Sequence, residues 1–117
     1  MGNPVVHFEI NSQNPGALHE FYGRLFDWNI RVMPEMSYGA VDTQAGGING
    51  GIGPAQGPNQ VTFYIEVDDL QGTLTRIELA GGKTVVPVME VPGVVTFAQF
   101  ADPDGNVVGL VKSEPEG

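Results

Sequence analysis

Two stretches of strict alternation, residues 5–11 and 60–67, constrain this chain more than any other feature. In the first, Val6, Phe8 and Ile10 share one face of a strand while Val5, His7, Glu9 and Asn11 share the other. In the second, Val61, Phe63, Ile65 and Val67 oppose Gln60, Thr62, Tyr64 and Glu66. Each strand is followed by helix signals. Asn14 and Pro15 supply an N-cap and a first helical residue whose fixed φ suits the position. Beyond them Ala17, Leu18, Phe21, Tyr22, Leu25 and Phe26 recur at helical spacing, which predicts a buried stripe. In the second half Asp68 and Asp69 can cap a helix carrying Leu70, Leu74 and Ile77, and Gly81-Gly82 offers a left-handed stop.

Laid over one another, VVHFEI and QVTFYI pair Val6 with Val61, Phe8 with Phe63 and Ile10 with Ile65. Leu18 and Phe21 then fall on Leu74 and Ile77 after a one-residue adjustment, so the chain carries an ordered internal repeat. Further strands are expected at 28–33, 38–43 and 48–53, and at 84–88, 94–101 and 107–111. DPDGN at 102–106 is a turn in which Gly105 or Asn106 can take positive φ. Gly, Pro and Asn crowd residues 46–59, the joint between halves, and Gly50-Gly51 also suits close backbone approach. Each half reads βαβββ. The expectation is an α+β fold in a single domain over 1–117, with modules at about 3–55 and 58–113.

Length and charge narrow the partners. A chain of 117 residues, 41% hydrophobic and 16% charged, suits one folded domain. Five Lys and Arg against fourteen Asp and Glu give a net charge of −9, which repels phosphate backbones and anionic membrane surfaces. Nucleic acid and membrane are therefore not expected as partners. With no cysteine there are no disulfides, thiolate metal sites or cysteine nucleophiles. The start of the chain has no basic segment leading into a long apolar run, so neither export nor anchoring is expected, and a cytoplasmic location fits.

Taken in order, VVHFEI, the helix ending FYGRLFDW, FYIEVDDL with its helix and AGGK, and FADPDGNVVGLV make the chain similar to the vicinal oxygen chelate superfamily. That superfamily includes glyoxalase I, bleomycin-resistance proteins and extradiol dioxygenases. The resemblance implies two modules forming a curved, partly open barrel-like sheet, helices on the convex side, a small-molecule pocket on the concave side, and a homodimer. It turns His7, Glu9, Thr62, Tyr64 and Glu66 into pocket-lining candidates. Gln99 joins them if the odd positions of its strand face inward.

The resemblance also implies where a divalent ion would be held. His7 falls on the first ligand position, but the equivalent position of the second module holds Thr62, and the last strand has Gly109 where a Glu ligand is usual. A divalent transition ion normally takes at least three protein ligands, and neither Thr nor Gly replaces an imidazole or carboxylate. No metal or other cofactor is therefore expected, with an improvised site of His7, Glu9 and Glu66 as the disfavoured alternative. His19 reads as a surface residue, Trp28 and Phe97 as core residues, and Glu9 and Glu66 as a solvated rim unless they serve His7.

The favoured reading is a metal-free small-molecule-binding protein that sequesters its ligand. The alternative is an enzyme of the same fold, a lyase, an epimerase or isomerase, or a dioxygenase-like protein, that uses His7 with or without a metal. A third reading is an interaction module whose pocket has closed. No residue is assigned a catalytic role.

Overall fold

The computed structural model describes residues 2–113. The chain forms two compact units, one over Val6–Thr62 and the other over the residues from Phe63 onward with those up to Val5. The Val6–Thr62 unit holds most of β1 (Val5–Ser12), then α1 (Pro15–Phe26), β2 (Asn29–Met33), β3 (Tyr38–Asp42) and β4 (Asn49–Pro54). Its strands run in the order β2-β3-β4-β1, antiparallel except for the parallel β4/β1 pair. The second unit holds most of β5 (Gln60–Val67), then α2 (Leu70–Leu79), β6 (Lys83–Val91), β7 (Val95–Ala101) and β8 (Val107–Lys112). Its order is β6-β7-β8-β5, again antiparallel except for the parallel β8/β5 pair. Both halves thus fold as the same βαβββ unit, and the α+β class read from the repeat is what forms. A parallel pair needs a long crossover, which the helix and the two intervening strands provide in each unit.

In the second unit α2 lies against β6, β7 and β8. Val67, Leu70, Leu74, Ala98 and Leu110 form its buried cluster, with Ile65, Ile77 and Phe100 packed against it. Each large aliphatic side chain of that set stabilises the unit by about 1.5–3 kcal/mol. The helix ends are those the sequence announces. Asp69 Oδ1 accepts the Gly72 N–H at 3.0 Å, and Gly81 sits at φ 103° just past the last turn. Because Ala98 and Phe100 point to the helix, Phe97 and Gln99 project from the opposite face. Phe97 is therefore not the core residue expected of it. It stands edge-on to Tyr64, ring centroids 6.4 Å apart, on the side the helix leaves bare.

In the first unit α1 lies against β2 and β4 and has no fully buried side chain. The expected stripe is only partly used. Leu18, His19, Tyr22 and Gly23 are half-buried, whereas Phe21, Leu25 and Phe26 are 51%, 61% and 55% exposed and Ala17 is exposed too. Six apolar residues on one helix span a wider arc than a single sheet can cover, and the stacking of Tyr22 on Trp28, centroids 5.5 Å apart, sets the rotation. Trp28 also packs on Phe8 at 5.5 Å, but it is half-buried, so it lies at the edge of the core and not inside it. At the helix start Asn14 makes no side-chain cap. Ser12 Oγ accepts the Asn14 N–H instead, at 2.9 Å. Among the described residues no helix is long and apolar enough to cross a membrane.

Candidate functional site

The register of the first sheet sorts its side chains by face. Phe8 pairs with Gly50 and Ile10 with Ile52 on the helix side, which puts His7, Glu9 and Asn11 on the other side, beside Asn49, Gly51 and Gly53. Across β4, Ala40 pairs with Gly51, and across β3, Arg31 pairs with Ala40 and Met33 with Tyr38. The helix-free face therefore carries polar groups around a floor of very small residues.

A single carboxylate organises that face. Glu9 Oε1 accepts from His7 Nε2 at 2.9 Å and from the Tyr38 hydroxyl at 3.0 Å, while Oε2 accepts from Asn11 Nδ2 at 3.3 Å. A carboxylate only accepts, so His7 carries its proton on Nε2 in this arrangement. Tyr38 reaches Glu9 from β3 by lying over β4, and only glycine lets it do so. A Cβ on Gly51 would stand 1.6 Å from the Tyr38 hydroxyl, and one on Gly53 would stand 2.6 Å from the ring. The Glu9 side chain is 13% exposed and that of His7 35%, so the carboxylate is sheltered while the imidazole reaches the surface. An imidazole held by an oriented carboxylate is suited to bind a ligand oxygen or to exchange a proton with it.

The second sheet presents its own polar group on its helix-free face. Gln99 Nε2 donates to the Tyr64 hydroxyl at 2.9 Å. The Tyr64 ring covers Gly109, its cross-strand partner, so closely that a Cβ there would lie 2.3 Å from the ring. Gln99 thus projects from the face on which the sequence reading conditionally placed it. Glu66 engages through its backbone, donating N–H to the Pro4 carbonyl at 2.9 Å and accepting from Asn3 Nδ2 at 3.2 Å. Thr62 is buried. The structure therefore brings His7 together with Glu9, and Tyr64 with Gln99. Tyr38 and Asn11 were not among the sequence candidates. Asn11 shares the His7 side of β1, and the Gly50-Gly51 pair signals a close approach, but nothing local says that a tyrosine from β3 makes it.

His19 is not the surface residue it was read as. Its Nε2 lies 2.9 Å from the Ile52 carbonyl oxygen and its ring packs on Gly39, where a Cβ would stand 2.8 Å away. A cleft lined by Glu90, Val94, Thr96 and Lys112 lies at the β6/β7 turn. It lacks any set of linked side chains and is a weaker candidate than the Glu9 network.

The profile of the glyoxalase-like domain matches residues 7–111, and the chain belongs to that family. Among curated proteins it is 32% identical over 59 residues to CFP32 of Mycobacterium tuberculosis, which is named a glyoxylase, a match covering 50% of this chain and 23% of that protein. It is 27% identical over 119 residues to the anthracycline biosynthesis protein DnrV of Streptomyces peucetius, covering 84% and 42%. The chain spans less than half the length of these relatives. Among solved structures, a glyoxalase/bleomycin resistance protein/dioxygenase superfamily member from Vibrio splendidus superposes with a TM-score of 0.68 at 15% identity, covering 96% of this chain and all of that one. That likeness shows the fold.

The metal implied by the superfamily does not suit the side chains present. His7 Nε2 is engaged by Glu9, Thr62 is a neutral hydroxyl, and Gly109 supplies no donor and lies beneath the Tyr64 ring. Among the described residues no three His, Cys, Asp or Glu side chains gather into a cation-holding group, so the alternative of His7 with Glu9 and Glu66 gains no support.

Proposed function

We propose that the chain binds a small, oxygen-bearing organic molecule on the helix-free face of its first sheet, without a metal. The observation that carries this reading is the Glu9 carboxylate, which takes hydrogen bonds from His7, Tyr38 and Asn11 and so fixes the groups that would meet the ligand. A network satisfied in this way holds its members in one geometry before binding, which lowers the cost of ordering them later. Within the second unit, Tyr64 and Gln99 form a polar pair of their own on the helix-free face, which we propose as a further ligand-facing group. Cytoplasmic placement and pairing into a homodimer belong to the same proposal. The test is metal-free: dialysed protein is titrated with oxygenated small molecules while the His7 imidazole is followed by NMR. Ligand-dependent shifts support binding. A stoichiometric Ni, Zn, Mn or Fe ion at His7 would overturn the metal-free reading.

The 2.9 Å bond between Glu9 and His7 favours a second reading, general acid–base chemistry at the imidazole, with Glu9 fixing its orientation. On a substrate found by the titration, His7→Ala would lose turnover by about 10²–10⁴-fold. Full turnover in that variant would eliminate this reading.

A further inference from the structure

The first unit contains two cations, Arg24 on α1 and Arg31 on β2. Ile30 points to the helix, since a Cβ on Gly39 would meet its Cγ2 at 2.6 Å, so Arg31 projects from the helix-free face. The register places it in line with the Glu9 network: Arg31 opposite Ala40, Ala40 opposite Gly51, and Gly51 opposite Glu9. No side chain longer than a methyl group rises from the two intervening positions, and the Tyr38 hydroxyl lies over the second of them. The Arg31 side chain makes no hydrogen bond or ion pair among the described residues, in a chain with fourteen carboxylate side chains to offer.

We infer that Arg31 anchors a carboxylate of the ligand, so that the molecule bound on this face is a hydroxy acid and not a neutral compound. This rests on the binding reading given above and adds the ligand's charge to it. A guanidinium recognises a carboxylate through two parallel N–H donors, which fixes one end of a ligand in position and orientation. Glu9 and Asp42 belong to the same sheet. Their carboxylates repel an anion, and Arg31 supplies the opposite charge on that face. The spacing sets the ligand's length. Strands lie about 4.8 Å apart, so β2 is roughly 10 Å from the β4 backbone under the Tyr38 hydroxyl. With about 2.8 Å for a hydrogen bond at each end, roughly 4 Å remains between the ligand's carboxylate and its second oxygen function. Because Tyr38 gives its O–H to Glu9, it can only accept from the ligand, so the second function is a hydroxyl, and a four- or five-carbon hydroxy acid spans that gap.

The probes are 3-hydroxybutanoate and its methyl ester, which share the hydroxyl and differ in charge. Wild type, Arg31→Gln and Arg31→Lys are titrated with each at low ionic strength, following the His7 imidazole signals, and the thermal midpoint of each variant checks its folding. Wild type is expected to bind the acid at least tenfold more tightly than the ester. Arg31→Gln should bring the acid down to the ester's affinity while the ester stays within about twofold of wild type, and Arg31→Lys should keep part of the preference for the acid. Equal binding of acid and ester by wild type, or undiminished acid binding by Arg31→Gln or by a folded Arg31→Lys alone, overturns the role of Arg31 and leaves the binding reading standing. If neither probe at millimolar concentration moves the His7 signals of wild type, the binding reading itself falls.

Discussion

The Tyr38 hydroxyl meets Glu9 Oε1 at 3.0 Å only because Gly51 has no side chain beneath it. The strand that carries the glycine is thereby tied to the polar network that its own residues do not join. Gly51→Ala should push Tyr38 away from Glu9 and destabilise the chain by about 1–3 kcal/mol, as overpacking does. Tyr38→Ala makes room for the added methyl. The two changes together should therefore cost less than the sum of each alone, a non-additivity readable in a urea double-mutant cycle. Strict additivity would mean that the ring and the glycine do not constrain one another.

The uneven burial of the two helices predicts an uneven response to truncation. Leu74 is 2% exposed in the buried cluster of the second unit, and Leu74→Ala should cost about 2–5 kcal/mol. Phe21, whose place in the repeat matches Ile77, is equally apolar, yet half of it is exposed and its ring contact is an edge to Tyr22 at 5.1 Å. Phe21→Ala should cost no more than about 1 kcal/mol. Chemical denaturation of the two variants separates them, and equal losses would place Phe21 in a core.

That contrast marks how far the sequence could be read. Period-two alternation separated the two faces of β1 and β5, because a strand has only two sides and a single slip would reverse every residue, but it did not give burial along β5, where Val61 and Phe63 are exposed and Thr62 is buried. A helix has no such binary choice. Ala17, Phe21 and Leu25 sit on one flank of an apolar arc, and which flank meets the sheet depends on the packing of Tyr22 against Trp28, a tertiary fact. The polar site was legible to the same extent. His7 and Glu9 lie two apart on one strand and their pairing follows from alternation, whereas Tyr38 comes from β3 and its reach depends on registers that only the folded sheet defines. His19 was misread for the same reason, since its partner is a backbone carbonyl that composition does not reveal.

His19 accordingly yields a prediction of its own. Nε2 donates to the Ile52 carbonyl on a strand residue with no exposed surface. His19→Leu keeps bulk against Gly39 but withdraws the donor, and should destabilise by about 1–3 kcal/mol at neutral pH. His19→Gln offers an amide N–H and should recover part of that loss. Thermal unfolding of the pair reads the difference, and identical midpoints would show that the carbonyl gains nothing from this partner.

The DPDGN turn gives a pH dependence. Asp102 Oδ1 accepts the N–H groups of Asp104 and Asn106 and Oδ2 accepts Asn106 Nδ2, each at 2.9 Å. These bonds, the Asn106 side chain first among them, hold its carboxyl below the ordinary value of 3.8. A carboxyl with a lowered folded pKa contributes stability that is complete above its unfolded value and disappears as pH falls through its folded one. Wild type should therefore exceed Asp102→Asn in stability at pH 7, and the gap should narrow below pH 3.8. A gap that stays constant down to acid pH would remove the charge of Asp102 from the explanation and leave only turn geometry.

Restoring a carboxylate where Gly109 stands tests whether the missing ligand alone keeps metal away. Gly109→Glu would put a side chain where the Tyr64 ring lies, with the new Cβ 2.3 Å from ring carbons. Tyr64 is held by the Gln99 amide at 2.9 Å and by the edge of Phe97, so it cannot yield without breaking that hydrogen bond. His7 meanwhile remains engaged by Glu9. The expected outcome is a chain destabilised by about 1–3 kcal/mol whose thermal midpoint does not rise with Ni, Mn or Zn. Adding Tyr64→Ala should relieve the destabilisation, again without conferring metal binding, because two suitable ligands do not make a divalent site. A metal-dependent rise in the double variant alone would show that the tyrosine excludes the ion, and a rise already in Gly109→Glu would show that the missing carboxylate does.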